Sequence, residues 1–285
     1  MTGCKRKEAR MAVDEMRSDY DGEPVVFDTH ERMSALIHGD TKLGKSTLSG
    51  TVPKPVIVLD AEGSWRFTAG RKIYWDPNEE DLPEYDGTWD ICIVHVRDWH
   101  TVKIVFDLIT TGQTQFVSVV LDSITELQRR LKRSMKPNLD PFKIQDWGEL
   151  LAKMDGAIRD FRDLAMIADI TVRCVIFIAE TTEKGGKWRP HMQGQIANSL
   201  PYAVDLCGYM YRYQELDDEG TPVKDTRQLW IAPHDDFIAG SRMQEILGEC
   251  VEIPAPKPGN PGTVIQDWMI QIFKNDTYTD TEIED

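Results

Sequence analysis

Three sets of residues in this chain have types and spacings that could do chemistry. The first is Gly39-Asp40-Thr41-Lys42-Leu43-Gly44-Lys45-Ser46-Thr47, which carries the G-x-x-x-x-G-K-S spacing of a phosphate-binding P-loop. Gly39 and Gly44 allow backbone angles that a Cβ would forbid. The loop amides and the start of the next helix can then face an anion. In that geometry Lys45 reaches the β- and γ-phosphates of a nucleotide and Ser46 ligates Mg²⁺. The second set is carboxylates at the ends of apolar runs: Asp60 and Glu62 after "VIVL", Asp122 after "FVSVVL", and Glu180 after "VIFIA". Asp122 is placed to hold Mg²⁺ opposite Ser46. Glu62 is expected to orient and deprotonate an attacking water, with Asp60 as its rival two residues earlier. The third set is cationic. Arg129, Arg130, Lys132, Arg133 and Lys136 follow the Asp122 strand, and Lys184, Lys187, Trp188 and Arg189 flank a Gly-Gly pair after Glu180. Backbone cations beside a stacking aromatic are what single-stranded nucleic acid requires.

These groups need a scaffold that brings them to one edge. Apolar runs at 34–38, 54–63, 89–96, 114–127 and 170–182 read as strands, and 146–168 has helical spacing. Strands apolar on both faces and separated by helices imply an α/β fold with a mostly parallel central sheet covered by helices on both faces. In such sheets ligands collect at the carboxyl ends of the strands, where the P-loop, Glu62, Asp122 and Glu180 all fall. Residues 203–213 and 226–233 are less apolar and read as antiparallel or edge strands. Residues 253–262, with four prolines and two glycines, read as a stiff linker ending the core. Beyond it, Val264, Ile265, Trp268, Met269, Ile272 and Phe273 share one helical face, which packs on its own domain or docks a partner. The expected organisation is an N-terminal extension with helical potential (1–29), a core (30–252), the linker (253–262), an amphipathic helix (263–274) and an acidic tail (275–285).

Composition narrows the classes. The chain has 285 residues, 41% of them hydrophobic, and no apolar run approaches the ~20 residues of a membrane span. The N-terminus is charged and lacks an apolar signal core, so a cytoplasmic location without membrane association is expected. Five widely spaced cysteines without a C-x-x-C pair suggest neither a zinc site nor a disulfide framework. His95 and His100 lack metal spacing, and the His234-Asp235-Asp236 run lacks companion ligands. The formal charge of −15, with five acids in the last eleven residues, weighs against nonspecific nucleic-acid binding unless cations are clustered. Trp65 and Phe67 suit either an adenine contact or core packing.

The order of "VIVLDAEG", "SVVLDSITEL" and "VIFIAETT" after the P-loop resembles the ATPase core of RecA-type recombinases over about residues 30–245. It is most similar to phage-encoded RecA-like ATPases of the single-strand-annealing, recombination-mediator type. The resemblance implies a RecA-like P-loop NTPase fold and an ATPase using ATP and Mg²⁺. It gives Glu62 the role of catalytic base, Asp122 a place in the magnesium site, and the position of Glu180 that of nucleotide sensor. Such proteins carry a polar amide at that last position, so the acid here departs from the pattern. They also complete the site across a subunit interface with lysines from a segment like 230–242. Here His234, Asp235 and Asp236 stand in that segment, which leaves Arg242 as the candidate trans-acting cation. The two basic segments correspond to loops that grip single-stranded DNA, although by its residues alone the first reads equally as a solvated helix face. The implied partners are single-stranded DNA, further copies of the chain in a ring or filament, and a single-strand-binding protein. The implied location is the host bacterial cytoplasm if the chain is phage-encoded. Two other functions compete: a helicase-like or helicase-loading motor, and a nucleotide-dependent assembly protein that binds no DNA. No arginine-rich lid supports a small-molecule kinase.

Overall fold

The computed structural model of the chain describes residues 26–138, 140–217, 222–255, 257 and 259–274. Most of the N-terminal extension and the whole acidic tail lie outside these described residues. β1 (Met33–Gly39) leads into the P-loop and the short helix α1 (Lys45–Ser49). β2 (Val56–Asp60), β3 (Lys72–Tyr74) and β4 (Ile91–His95) follow, then α2 (Trp99–Thr110), β5 (Ser118–Asp122) and α3 (Ile124–Met135). The chain continues through α4 (Ile144–Asp163), β6 (Cys174–Ile178), the β7 (Thr181–Lys184) and β8 (Lys187–Pro190) hairpin, and α5 (Ile196–Ala203). β9 (Leu206–Leu216), β10 (Pro222–Trp230), β11 (Gly240–Ser241), α6 (Gln244–Leu247), β12 (Cys250–Ile253) and α7 (Val264–Phe273) complete it.

One large sheet runs β12-β10-β9-β1-β6-β5-β2-β4-β3, with β11 added beside β9. The strands from β9 to β3 are parallel, while β10 and β12 add antiparallel edges. β1, β2, β5 and β6 are buried along their whole lengths, as expected of parallel strands covered on both faces. One face packs on α2, α3, α4 and α5 through residues such as Val105, Leu127, Met154 and Leu200. The other packs on α1 and α7 through Leu48, Ile265, Trp268 and Met269.

Three expectations are corrected. β9 is an interior strand and not an edge: it pairs antiparallel with β10, as expected, and also parallel with β1. Its Leu206–Met210 half sits beside β1 and is buried, whereas Tyr213–Glu215 pairs only with β10 and is polar. The basic segment after β5 is helix rather than loop: Ser123 caps α3 by accepting from the Glu126 amide. The core also does not end at 252. The apolar face of α7 joins the same cluster as Val52, Val56 and Trp65, and the Ile265 amide donates to the Thr51 hydroxyl at 2.9 Å. The docking face considered for a partner is therefore already taken by the chain itself.

Candidate active site

Register sets the geometry of the site. Asp60 and Asp122 are paired neighbours at the ends of β2 and β5, and β6 separates β5 from β1. At about 4.8 Å per strand, the P-loop strand and the Asp122 strand lie roughly 10 Å apart, with Glu180 leaving β6 between them. The P-loop departs from β1 at Gly39, whose φ is 143° and where a Cβ would collide with the Met210 carbonyl of β9. Gly44 has φ 92°, and a Cβ there would lie 2.6 Å from the Arg227 guanidinium. Gly39 is required by backbone shape and by crowding against backbone, and Gly44 by its left-handed backbone shape.

Lys45 folds back onto its own loop, donating to the Gly39 carbonyl at 3.0 Å and the Asp40 carbonyl at 2.7 Å. Burial pulls the ammonium below its ordinary pKa, and the carboxylates of Asp122, Glu62, Asp40 and Glu180 oppose that shift. Ser46 donates to Asp122 Oδ2 at 2.5 Å. The same oxygen accepts from Trp65 Nε1 at 2.8 Å and from the Ser64 hydroxyl at 3.2 Å. Burial pushes the Asp122 carboxyl up to about 6, aided by the charges of Glu62 and Asp60 against these hydrogen bonds. A hydroxyl and a buried carboxylate, side by side below a phosphate loop, are hard oxygen donors that fit Mg²⁺. Among the described residues no group of three or more His, Cys, Asp or Glu could hold a metal.

Asp60 and Glu62 have separate tasks. Asp60 is buried, and its Oδ1 accepts from the amides of Glu62 (3.2 Å), Gly63 (2.8 Å) and Ser64 (3.3 Å). Its Oδ2 accepts from the Trp65 amide at 3.2 Å. It shapes the turn and has little capacity left for water. Glu62 is exposed at the strand edge and accepts from the Ser123 hydroxyl. Of the two carboxylates, Glu62 is the one solvent can reach.

Glu180 accepts a two-pronged ion pair from Arg129, both contacts at 2.8 Å, and contacts His191 Nδ1 at 3.1 Å. The guanidinium of Arg129 holds the Glu180 carboxyl below the usual range against the opposing effect of burial. α3 is thereby tied to the segment that follows the hairpin. Gln128 and the Gln193 backbone add a second tie, the Gln193 amide donating at 2.8 Å.

Most of the expected DNA-binding cations are engaged. Arg130 pairs with Glu126 at 3.2 Å, Lys132 lies over the Phe142 and Trp147 rings, and Lys136 pairs with Asp146 at 3.1 Å. Lys187 donates to the His234 carbonyl at 2.6 Å and Arg189 to Asn198 at 3.2 Å. Trp188 is half-buried against Tyr209, Tyr211 and Phe237. Arg133 and Lys184 are exposed. A cavity of about 470 Å³ beside α3 is bordered by Arg129, Lys132, Arg133 and Trp147.

Arg242 lies at the amino edge of the sheet, away from its own P-loop, donating to Asp205 at 2.6 Å. Asp205 in turn accepts from Ser34, near the start of β1. Trp65 belongs to the core and Phe67 is exposed. Sequence reasoning missed Ser64, Ser123 and the Trp65 indole as partners of the carboxylates, although each lies within five residues of one. It also missed Arg227, which reaches the P-loop from β10 and donates to the Leu43 carbonyl at 3.4 Å. No local pattern marks that residue.

Among the described residues no helix is long and apolar enough to cross a membrane. No protein with a curated description matches the chain. A family model described as an AAA domain matches residues 31–243. The match covers about three quarters of the sequence and contains the P-loop, Glu62, Asp122 and Glu180. The chain belongs to the AAA domain family and is a P-loop ATPase with an α/β fold.

Proposed function

We propose that this protein binds Mg²⁺·ATP in the P-loop, hydrolyses it with Glu62 as general base, and uses the nucleotide state to govern its hold on single-stranded DNA during recombination or annealing. The observation that carries the reading is the pairing of Ser46 with a buried, high-pKa Asp122, whose neighbour Ser123 holds an exposed Glu62. Mg²⁺, when bound, supplies charge neutralisation on the phosphates. The chain's own residues do the rest. Lys45 exchanges its loop carbonyls for phosphate oxygens. Asp122 and Ser46 give up their mutual hydrogen bond to serve the metal. Ser123 holds the Glu62 carboxylate at the strand edge, where it accepts a proton from the attacking water.

The Arg129–Glu180 pair supports the coupling. Glu180 leaves the strand between the P-loop strand and the Asp122 strand, so a shift there releases or retains a cation of the α3 surface. Assembly of several copies is part of the proposal, with Arg242 leaving Asp205 to meet a neighbour's phosphates.

The test is anisotropy of labelled single-stranded DNA across a salt series, without nucleotide and with ATP or a slowly hydrolysed analogue. Nucleotide- and salt-sensitive binding that weakens in a Lys184, Lys187 and Arg189 triple alanine variant is the expected result. No binding at low salt in any nucleotide state would overturn the DNA reading and favour a nucleotide-dependent assembly protein. Directional unwinding coupled to ATP would instead mark a helicase-like motor. Lys45→Ala should lower nucleotide affinity at least about 100-fold, since it removes the charge that meets the phosphates. Unchanged affinity would remove the P-loop assignment.

A further inference from the structure

A second cavity, of about 220 Å³, opens beside the P-loop on the face opposite α3. Thr47 and Leu48, directly after the phosphate and metal residues, form one wall. Pro254 and Pro261 of the proline-rich segment and Val264 of α7 form the others. The cavity is below the ~300–1,000 Å³ typical of sites for drug-sized ligands, so it suits one ring system rather than a whole nucleotide. Arg227 joins this cavity to the phosphate loop, donating to the Pro254 carbonyl at 2.6 Å and to the Leu43 carbonyl at 3.4 Å. Asp267, in the first turn of α7, also lines it. Its Oδ2 accepts from the Thr263 hydroxyl at 2.9 Å, and its Oδ1 has no protein partner among the described residues.

We propose that this cavity is the nucleobase pocket of the P-loop site, and that Asp267 reads the amino group of an adenine held between the proline-rich segment and α1. The proposal rests on the reading of the P-loop as a nucleotide site and extends it. The apolar walls take the faces of the base, and a lone carboxylate at their rim takes a donor from its edge, the usual division of labour in small-ligand pockets. The exocyclic amine of adenine is such a donor. Burial keeps the Asp267 carboxyl above its ordinary pKa, so an amine that hydrogen-bonds it relieves an existing desolvation penalty. Pro254 and Pro261, read from sequence as parts of a spacer, become walls of the site.

The experiment titrates the full chain calorimetrically with ATP and with inorganic tripolyphosphate, both with Mg²⁺. Asp267→Ala and Val264→Trp, the second filling the cavity, are compared with the unsubstituted protein. ATP should bind more tightly than tripolyphosphate. Asp267→Ala should lower ATP affinity about tenfold, the loss of one hydrogen bond to a charged group, with tripolyphosphate affinity kept. Val264→Trp should erase the preference for ATP. An ATP-to-tripolyphosphate ratio unchanged by Asp267→Ala would overturn the pocket while leaving the P-loop reading intact. If Val264→Trp lost both ligands it would be read as misfolded, and Asp267→Ala alone would decide. Failure of the unsubstituted protein to bind either ligand would overturn the P-loop reading itself.

Discussion

The carboxyl edge at β2 and β5 and the surface formed by α3 with the β7–β8 hairpin hold their polar groups in different ways. At the edge, Asp60 and Asp122 are buried, and their partners are the amides, the Ser64 hydroxyl and the indole of a single turn, Glu62 to Trp65, joined by the Ser46 hydroxyl of α1. On the surface, Arg129, Arg130 and Lys136 are held by acids that solvent also reaches. Buried hydrogen bonds to backbone fix geometry before any ligand arrives. Exposed ion pairs contribute little stability and exchange readily for another anion. The contrast separates an edge arranged for chemistry from a surface arranged for exchange.

Substitutions can break or sharpen this contrast. The largest effect is expected from Glu62→Gln, which should lower steady-state phosphate release about 10²–10³-fold while nucleotide affinity in titration stays within about threefold. If turnover survives, the base is another group. Asp60→Ala should act on the fold: four amides lose their acceptor, and denaturant unfolding should register a loss of about 3 kcal/mol or more. A stable Asp60→Ala that cannot hydrolyse ATP would reverse the roles given to the two carboxylates.

Asp122→Asn sharpens the comparison through pH. A carboxyl moved from an ordinary 3.8 to about 6 on folding disfavours the folded state once it ionises, by about 3 kcal/mol. The penalty is absent below the unfolded value, grows as pH rises through about 6, and is complete above it. With a chelator present, Asp122→Asn should therefore be more stable than the unsubstituted protein at pH 7.5. The gain should shrink as pH falls toward 4.5, and unfolding curves at the two pH values test it. No gain at pH 7.5 would mean that Ser46, Ser64 and Trp65 already compensate the charge.

The smallest effect belongs to the exchangeable surface. Arg129→Ala should weaken single-stranded DNA binding a few-fold and lower the slope of log affinity against log salt by about 0.7, the release of one counterion. Its fold stability should change by less than about 1 kcal/mol, because the pair is half-exposed. A loss of several kcal/mol would place Arg129 with the buried edge instead.

The buried edge was also the more legible in sequence. Glycines at fixed spacing and acids at the ends of apolar strands are local signals, and they placed Gly39, Lys45, Ser46, Asp122 and Glu62 at one edge. What sequence could not show are contacts made across long separations. Arg227 meets the P-loop from a strand 184 residues away. Cys207 lies beside β1 even though the far end of its strand is polar, because β9 outruns its parallel neighbour. The basic run after Asp122 stayed open between loop and solvated helix face because its charges mask the buried Leu127 and Leu131 that make it a helix against the sheet.

The five-residue α1 has one further consequence. A helix that short does not hold itself together in water, and here it leans on α7 through Thr51 and the shared cluster around Leu48. The helix that meets phosphate, Lys45–Ser49, is synthesised long before the helix that steadies it, Val264–Phe273. A ribosome making this protein therefore carries an unfinished nucleotide site until α7 emerges, so ATP binding has to wait for that helix.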